Sequence, residues 1–189
     1  KAIVVHAGRV KTPFISTYNL IRLAASDMKN TRKYEKLKFK LIEKRDKRAD
    51  KYLNVLYPVL EELIPLLEKY DIMMGLEFLP TWDVIPTETE IHKIIEHCKS
   101  DRIRCWYDIG HVQIRENLGF VNQKGVLPEL APVIAGSHIQ DINYVGDDHM
   151  VPGTGCVDFS IYKPYIENKL LVLEPNTNVT SDQIKKGIK

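Results

Sequence analysis

Ile103-Arg104-Cys105-Trp106-Tyr107-Asp108-Ile109-Gly110-His111 is a short, nearly continuous apolar run that stops on an acid, a glycine and a histidine. A run of that length and texture reads as a strand buried on both faces. Four other runs repeat the pattern: Ala2-Ile3-Val4-Val5 leads into His6-Ala7-Gly8, and Met73-Met74-Gly75-Leu76 into Glu77. Residues 133–139 carry Ser137 and His138 and run on to Gln140-Asp141, and Leu170–Leu173 leads into Glu174-Pro175. Helical patterns at 31–70, 88–98, near 127–131 and at 159–167 separate the five runs. Strand and helix alternating at this rhythm predict βα units, a parallel sheet and the α/β class.

In the longest helical stretch Tyr34, Leu37, Leu41, Ala49, Tyr52, Leu53, Leu56, Leu60, Leu63, Ile64 and Leu67 recur at three- and four-residue spacings, which makes one apolar face. Pro58 and Pro65 are expected to kink or split it. Its first half, 29–51, holds eleven Lys and Arg against four acids. That local net of +7 leaves −5 for the rest of a chain whose total is +2. Two readings stay open for it, the solvated outer face of a helix or a patch that attracts phosphate groups. Residues 110–125 and 143–155 read as long loops, which in compact βα proteins tend to be functional.

A chain of 189 residues with 44% hydrophobic and 28% charged residues has the make-up of one globular domain. The near-neutral charge excludes a globally polycationic nucleic-acid binder and an acidic disordered tail. No apolar run is long enough to span a membrane, and no signal peptide opens the sequence. A start on Lys1 rather than Met is expected either from a natural N-terminus lying upstream or from processing. Cys98, Cys105 and Cys156 form no CxxC pair, so neither a zinc ribbon nor a disulfide framework is expected, and a reduced, cytoplasmic setting is the simplest expectation.

The chemistry lies at the strand ends. Every run delivers an ionisable side chain at its C-terminal edge, where parallel βα architectures build their sites. Any one of these residues alone has an ordinary structural explanation. Several carboxylates buried together are costly unless a cation neutralises them. Glu77, Asp108, His138 and Glu174 form a mixed oxygen and nitrogen set suited to Mn²⁺, Zn²⁺, Co²⁺ or Mg²⁺. His111, three residues after Asp108, and the Asp147-Asp148-His149 stretch with its Asp-x-His pair form a second cluster. Pro152-Gly153-Thr154-Gly155 follows, a turn whose glycines let backbone approach a ligand closely. His92 and His97 have no acid at ligand spacing, and Trp82, Trp106 and Tyr107 are expected to pack. Nucleophile elbow, P-loop, dinucleotide fingerprint and HExxH helix are all absent from the sequence.

With these motifs in this order, the chain resembles the xylose isomerase-like TIM barrel superfamily, which holds sugar isomerases and epimerases together with AP endonucleases of the endonuclease IV type. The matching stretches are Val5-His6-Ala7-Gly8, Leu76-Glu77, Tyr107 to His111, Ser137 to Asp141, Asp147-Asp148-His149 with Pro152 to Gly155, and Leu173-Glu174-Pro175. The resemblance implies a single (β/α) TIM barrel domain over residues 1–189 that lacks N-terminal strands, with about five of the eight barrel strands visible. In the sugar-converting branch it implies one divalent metal held by Glu77, Asp108, His138 and Glu174. Glu77 and Glu174 would also serve as acid/base groups moving a proton at the carbon beside the metal-bound carbonyl of a sugar or sugar phosphate. In the endonuclease branch, His6 and a group of His111, Asp147 and His149 would join a cluster of zinc ions acting on DNA. The implied partners are a small-molecule sugar, DNA only under the second reading, no membrane, and association into a homo-oligomer.

Overall fold

The computed structural model describes residues 1–187. The core is a parallel sheet of five strands: β1 (Ala2–Val5), β3 (Met73–Glu77), β5 (Ile103–Trp106), β6 (Ile134–Ile139) and β9 (Leu170–Leu173), in that spatial order. Each neighbour in the sheet is the next main strand in the chain, and all four pairings are parallel. The strands curl into half of a barrel. All five lie where their apolar runs place them.

Small residues let one large side chain fill the sheet. Trp106 on β5 lies against Gly75 of β3 and Gly136 of β6, and a Cβ at Gly75 would sit 2.9 Å from the Trp106 Cβ. The Trp106 ring in turn meets His138 edge-on, with centroids 5.2 Å apart.

The helices are α1 (Thr17–Ala25), α2 (Arg32–Lys69), α3 (Glu90–Cys98), α4 (Ile109–Asn117), α5 (Gln123–Leu130), α6 (Lys163–Ile166) and α7 (Ser181–Gly187). Two short antiparallel pairs complete the architecture, β2 (Gly8–Arg9) with β4 (Val84–Ile85) and β7 (Asp141–Asn143) with β8 (Asp147–Met150). Among the described residues no helix is long and apolar enough to cross a membrane.

Four expectations need correction. Pro58 and Pro65 do not split α2, which runs unbroken for 38 residues. Both prolines are exposed and lie seven apart on the solvent face, so the carbonyls they release, on Asn54 and Glu61, turn to water. The stretch 110–125 is not a long loop, because it holds most of α4 and the start of α5. Asp108 starts α4 as its N-cap, accepting the His111 N–H at 2.8 Å. The stretch 143–155 contains strand β8, and 159–167 breaks into a 3₁₀ turn, Phe159–Ile161, followed by α6.

Two apolar cores result. The main one joins sheet to helices through residues such as Leu53, Leu60, Leu67, Leu76, Ile94 and Tyr107. The second gathers Leu20, Tyr34, Leu41, Ile114, Leu118 and Ile142 from α1, the first half of α2, α4 and the β7–β8 hairpin. Between them, two buried arginines tie down the segment after β3. Arg45 binds Glu90 with both terminal nitrogens and donates to the Trp82 and Val84 carbonyls. Arg115, 0% exposed, donates to the Leu79 carbonyl at 2.7 Å and to Glu88 at 3.0 Å.

Removing one partner of such a pair strands the other charge in the interior. Arg115→Met should therefore cost about 3–5 kcal/mol in urea unfolding. Adding Glu88→Leu to that variant should recover a good part of the loss, an outcome a purely steric role for Arg115 does not give.

Candidate metal centre

Parallel register brings the strand ends to one level. Glu77 ends β3 opposite Trp106, and Asp108 follows β5 by two residues. His138 lies within β6 opposite Val172, and Glu174 directly follows β9. The four side chains each present a ligand atom within 4.8 Å of the others. His138 Nδ1 is the centre of the group, 3.1 Å from Glu77 Oε1, 3.0 Å from Glu174 Oε2 and 3.5 Å from Asp108 Oδ2.

One imidazole N–H cannot serve three carboxylate oxygens. The hydrogen bond goes to Glu77, and Glu174 Oε2 is left buried with no hydrogen-bond partner. An orphaned anionic oxygen beside two other carboxylates is what a divalent cation would satisfy, so the residues fit a metal ion.

The protonation states carry the same imprint. Burial opposes a charge on His138, yet the neighbouring carboxylates of Asp108, Glu77 and Glu174 push its pKa up to about 10. Burial also works against ionisation of Glu77, but the His111 and His138 hydrogen bonds outweigh it and hold that carboxyl well below the ordinary range. Glu174 moves the other way, raised by burial and by the charges of Asp108 and Glu77.

His6 stands at the edge of this group. Its Nε2 lies 2.8 Å from Glu77 Oε2, and its side chain is 63% exposed, so it connects the buried carboxylate to solvent.

A second group forms beside the first from His111, Asp148 and His149. His111 Nδ1 faces the Phe78 carbonyl at 3.2 Å, and His149 Nδ1 faces the Glu174 carbonyl at 3.0 Å. A carbonyl only accepts, so both rings carry a proton on Nδ1, which leaves Nε2 as the atom that would meet a metal ion. Donation of one ring N–H to a backbone acceptor is a common way of orienting a metal-binding histidine. His111 Nε2 lies 4.0 Å from Asp148 Oδ2.

Asp148 stands where the sequence reading placed Asp147. An Asp-x-His pair shares a side only in extended backbone. His149 has a left-handed φ of +56°, which breaks the alternation and turns the adjacent Asp148 toward it, leaving Asp147 exposed. Spacing alone holds no signal for that local twist.

Sequence reasoning also missed Gln140 and the role of Asp141. Asp141, fully buried, accepts backbone N–H groups from Ile142, Gly153, Gly155 and Val157 and so ties the Pro152–Gly155 turn to the end of the sheet. Beside it, a cavity of about 810 Å³ runs from Asp148 and His149 past Pro152 and Thr154 to Asn176 and Gln183.

The family described as xylose isomerase-like TIM barrel matches residues 29–164. An uncharacterized protein of Methanocaldococcus jannaschii is 27% identical over 115 residues, covering 60% of this chain and 42% of that protein. Among solved structures, a D-tagatose 3-epimerase-like protein superposes with a TM-score of 0.62 at 19% identity, covering all of this chain and 59% of the other. The IOLI protein, whose crystal structure has a binding zinc atom, gives a TM-score of 0.57 at 18% identity over 70% of this chain and 53% of its own. The chain thus spans about half the length of these proteins.

A raised histidine pKa has a direct consequence for metal uptake. At pH 7 the metal-free cluster holds a proton that ligation must expel. Calorimetric titration with Mn²⁺ or Zn²⁺ in buffers of different ionisation enthalpy should show about one proton released per ion bound to the four-residue group. Affinity should rise with pH until about 10, the pKa of His138. Equal heats in all buffers would contradict this assignment.

Proposed function

The chain belongs to the xylose isomerase-like TIM barrel family, and from that premise we propose that it carries the centre of a divalent-metal-dependent isomerase or epimerase acting on a sugar or sugar phosphate. The observation that carries this reading is the meeting of Glu77, Asp108, His138 and Glu174 at one point on the mouth of the half-barrel. Structural neighbours of the epimerase kind support it. A divalent ion held there would polarise a substrate carbonyl and acidify the adjacent C–H.

The chain's own residues supply the proton traffic. Glu77 and Glu174 sit at the same centre, but their surroundings push their proton affinities in opposite directions. A carboxylate pair separated in this way is the pattern of an acid/base couple. Glu174, the readier of the two to hold a proton, takes it from carbon. Glu77 returns a proton to the carbon, drawing it from solvent through His6 on its second oxygen. His111 and His149 stand together beside this centre, placed to meet substrate hydroxyls.

A second reading rests on its own observation, the additional group of His111, Asp148 and His149. Together with His6 beside Glu77, it provides for several zinc ions and hence for AP endonuclease-like cleavage of a phosphodiester in DNA. Nicking of an abasic duplex by protein holding about three zincs would support that reading over the first.

The leading proposal is tested by incubating the protein with Mn²⁺ or Co²⁺ and a panel of ketoses and ketose phosphates in D₂O. We expect incorporation of deuterium at the carbon next to the carbonyl, falling roughly 10²–10⁴-fold in Glu77→Gln and Glu174→Gln. Full activity in either variant, or no exchange with any ketose by metal-loaded protein, would remove the acid/base assignment.

A further inference from the structure

We propose that Gln140 is a positioning residue that couples the two ligand groups, so that filling one with a divalent cation strengthens the hold of the other. The proposal rests on the metal-centre reading above and goes beyond it by joining the two groups through one side chain.

Gln140 is 0% exposed and stands between β6 and β7, in the stretch that connects His138 to the hairpin. Its Nε2 donates to Asp108 Oδ2 at 2.7 Å. Its Oε1 accepts the backbone N–H of His149. The orientation of the amide follows from its partners, since a carboxylate offers only acceptors and a backbone N–H only a proton. One planar amide therefore touches a ligand of the first group and the backbone of a ligand of the second.

Both contacts fall at points that need holding. Asp108 Oδ1 already accepts the His111 N–H, so the Gln140 bond fixes the second oxygen, the one 3.5 Å from His138 Nδ1. His149 has the left-handed backbone that brings Asp148 to its side, a conformation a non-glycine residue keeps only when its surroundings hold it. The backbone of α4 makes room for the bridge: a Cβ at Gly110 would lie 2.8 Å from both Cγ and Cδ of Gln140.

A cation on the first group immobilises Asp108, which holds the amide, which presets His149. By linkage, a cation on the second group strengthens the first by the same factor. A coupling of about tenfold lies within the usual range for such linked sites.

The test is a thermodynamic cycle on the metal-free protein, titrated calorimetrically with Zn²⁺ alone and checked by elemental analysis. The variants are Gln140→Met, His149→Ala and the two combined. Methionine keeps the volume and loses both hydrogen bonds. We expect at least two ions in the wild type. Removing the second group with His149→Ala should weaken the first by about tenfold when Gln140 is present and by less than about twofold in the Gln140→Met background. An equal loss in both backgrounds, or no loss in either, overturns the coupling. A wild type that binds one ion overturns it as well and leaves the four-residue centre standing, whereas a wild type that binds none overturns the metal reading itself. If Gln140→Met does not fold, Gln140→Asn, too short to reach both partners, gives the same comparison.

Discussion

Crowding of like charge at the mouth of the half-barrel is the constraint on which the structure depends. Two carboxylates about 4 Å apart repel by roughly 4 kcal/mol at an effective dielectric of 20. Here Glu77, Asp108 and Glu174 all direct an oxygen at His138. Their surroundings are arranged to make that tolerable. His6 takes the outer oxygen of Glu77, the first turn of α4 takes one oxygen of Asp108, and Gln140 takes the other. Of the three, only Glu174 keeps a buried oxygen without a hydrogen-bond partner, and that exception is what makes the group a candidate cation site.

The fold was legible because its strands are continuous apolar runs of the right length, and those runs become the five parallel strands. The four-residue centre was legible for a related reason. In a parallel sheet all strands point the same way, so the residue that ends each apolar run must emerge at a common edge. Glu77 and Glu174 follow that rule, Asp108 lies two residues past its strand and His138 one residue before the end of its own, so all four fall at the same edge.

What the sequence concealed depends on local backbone or on distant partners. The exchange of Asp147 for Asp148 turns on one left-handed residue, His149. Helix α4 was hidden because Ile109-Gly110-His111 resembles the end of a strand more than the start of a helix, and only the Asp108 cap shows otherwise. The two prolines of α2 are harmless on its wet face, a fact about packing that no propensity scale holds. Arg45 lies in a run of charges that reads as a solvated surface, yet it is buried against Glu90, 45 residues further on. The remainder of that basic stretch is largely exposed, in keeping with the solvated-face reading.

Helix α2 is far longer than the sheet requires. At about 1.5 Å per residue its 38 residues reach roughly 57 Å, while a strand of five residues covers only about 17 Å. The excess lets α2 serve two places at once, its C-terminal half packed in the sheet's core and its N-terminal half in a separate apolar cluster. Fraying of either cluster is resisted by the other, because the rod that joins them transmits the strain along its length. The two cores should therefore melt as one cooperative unit, and the strand and helix ends that carry the candidate site inherit their rigidity from a scaffold much larger than their own contacts supply.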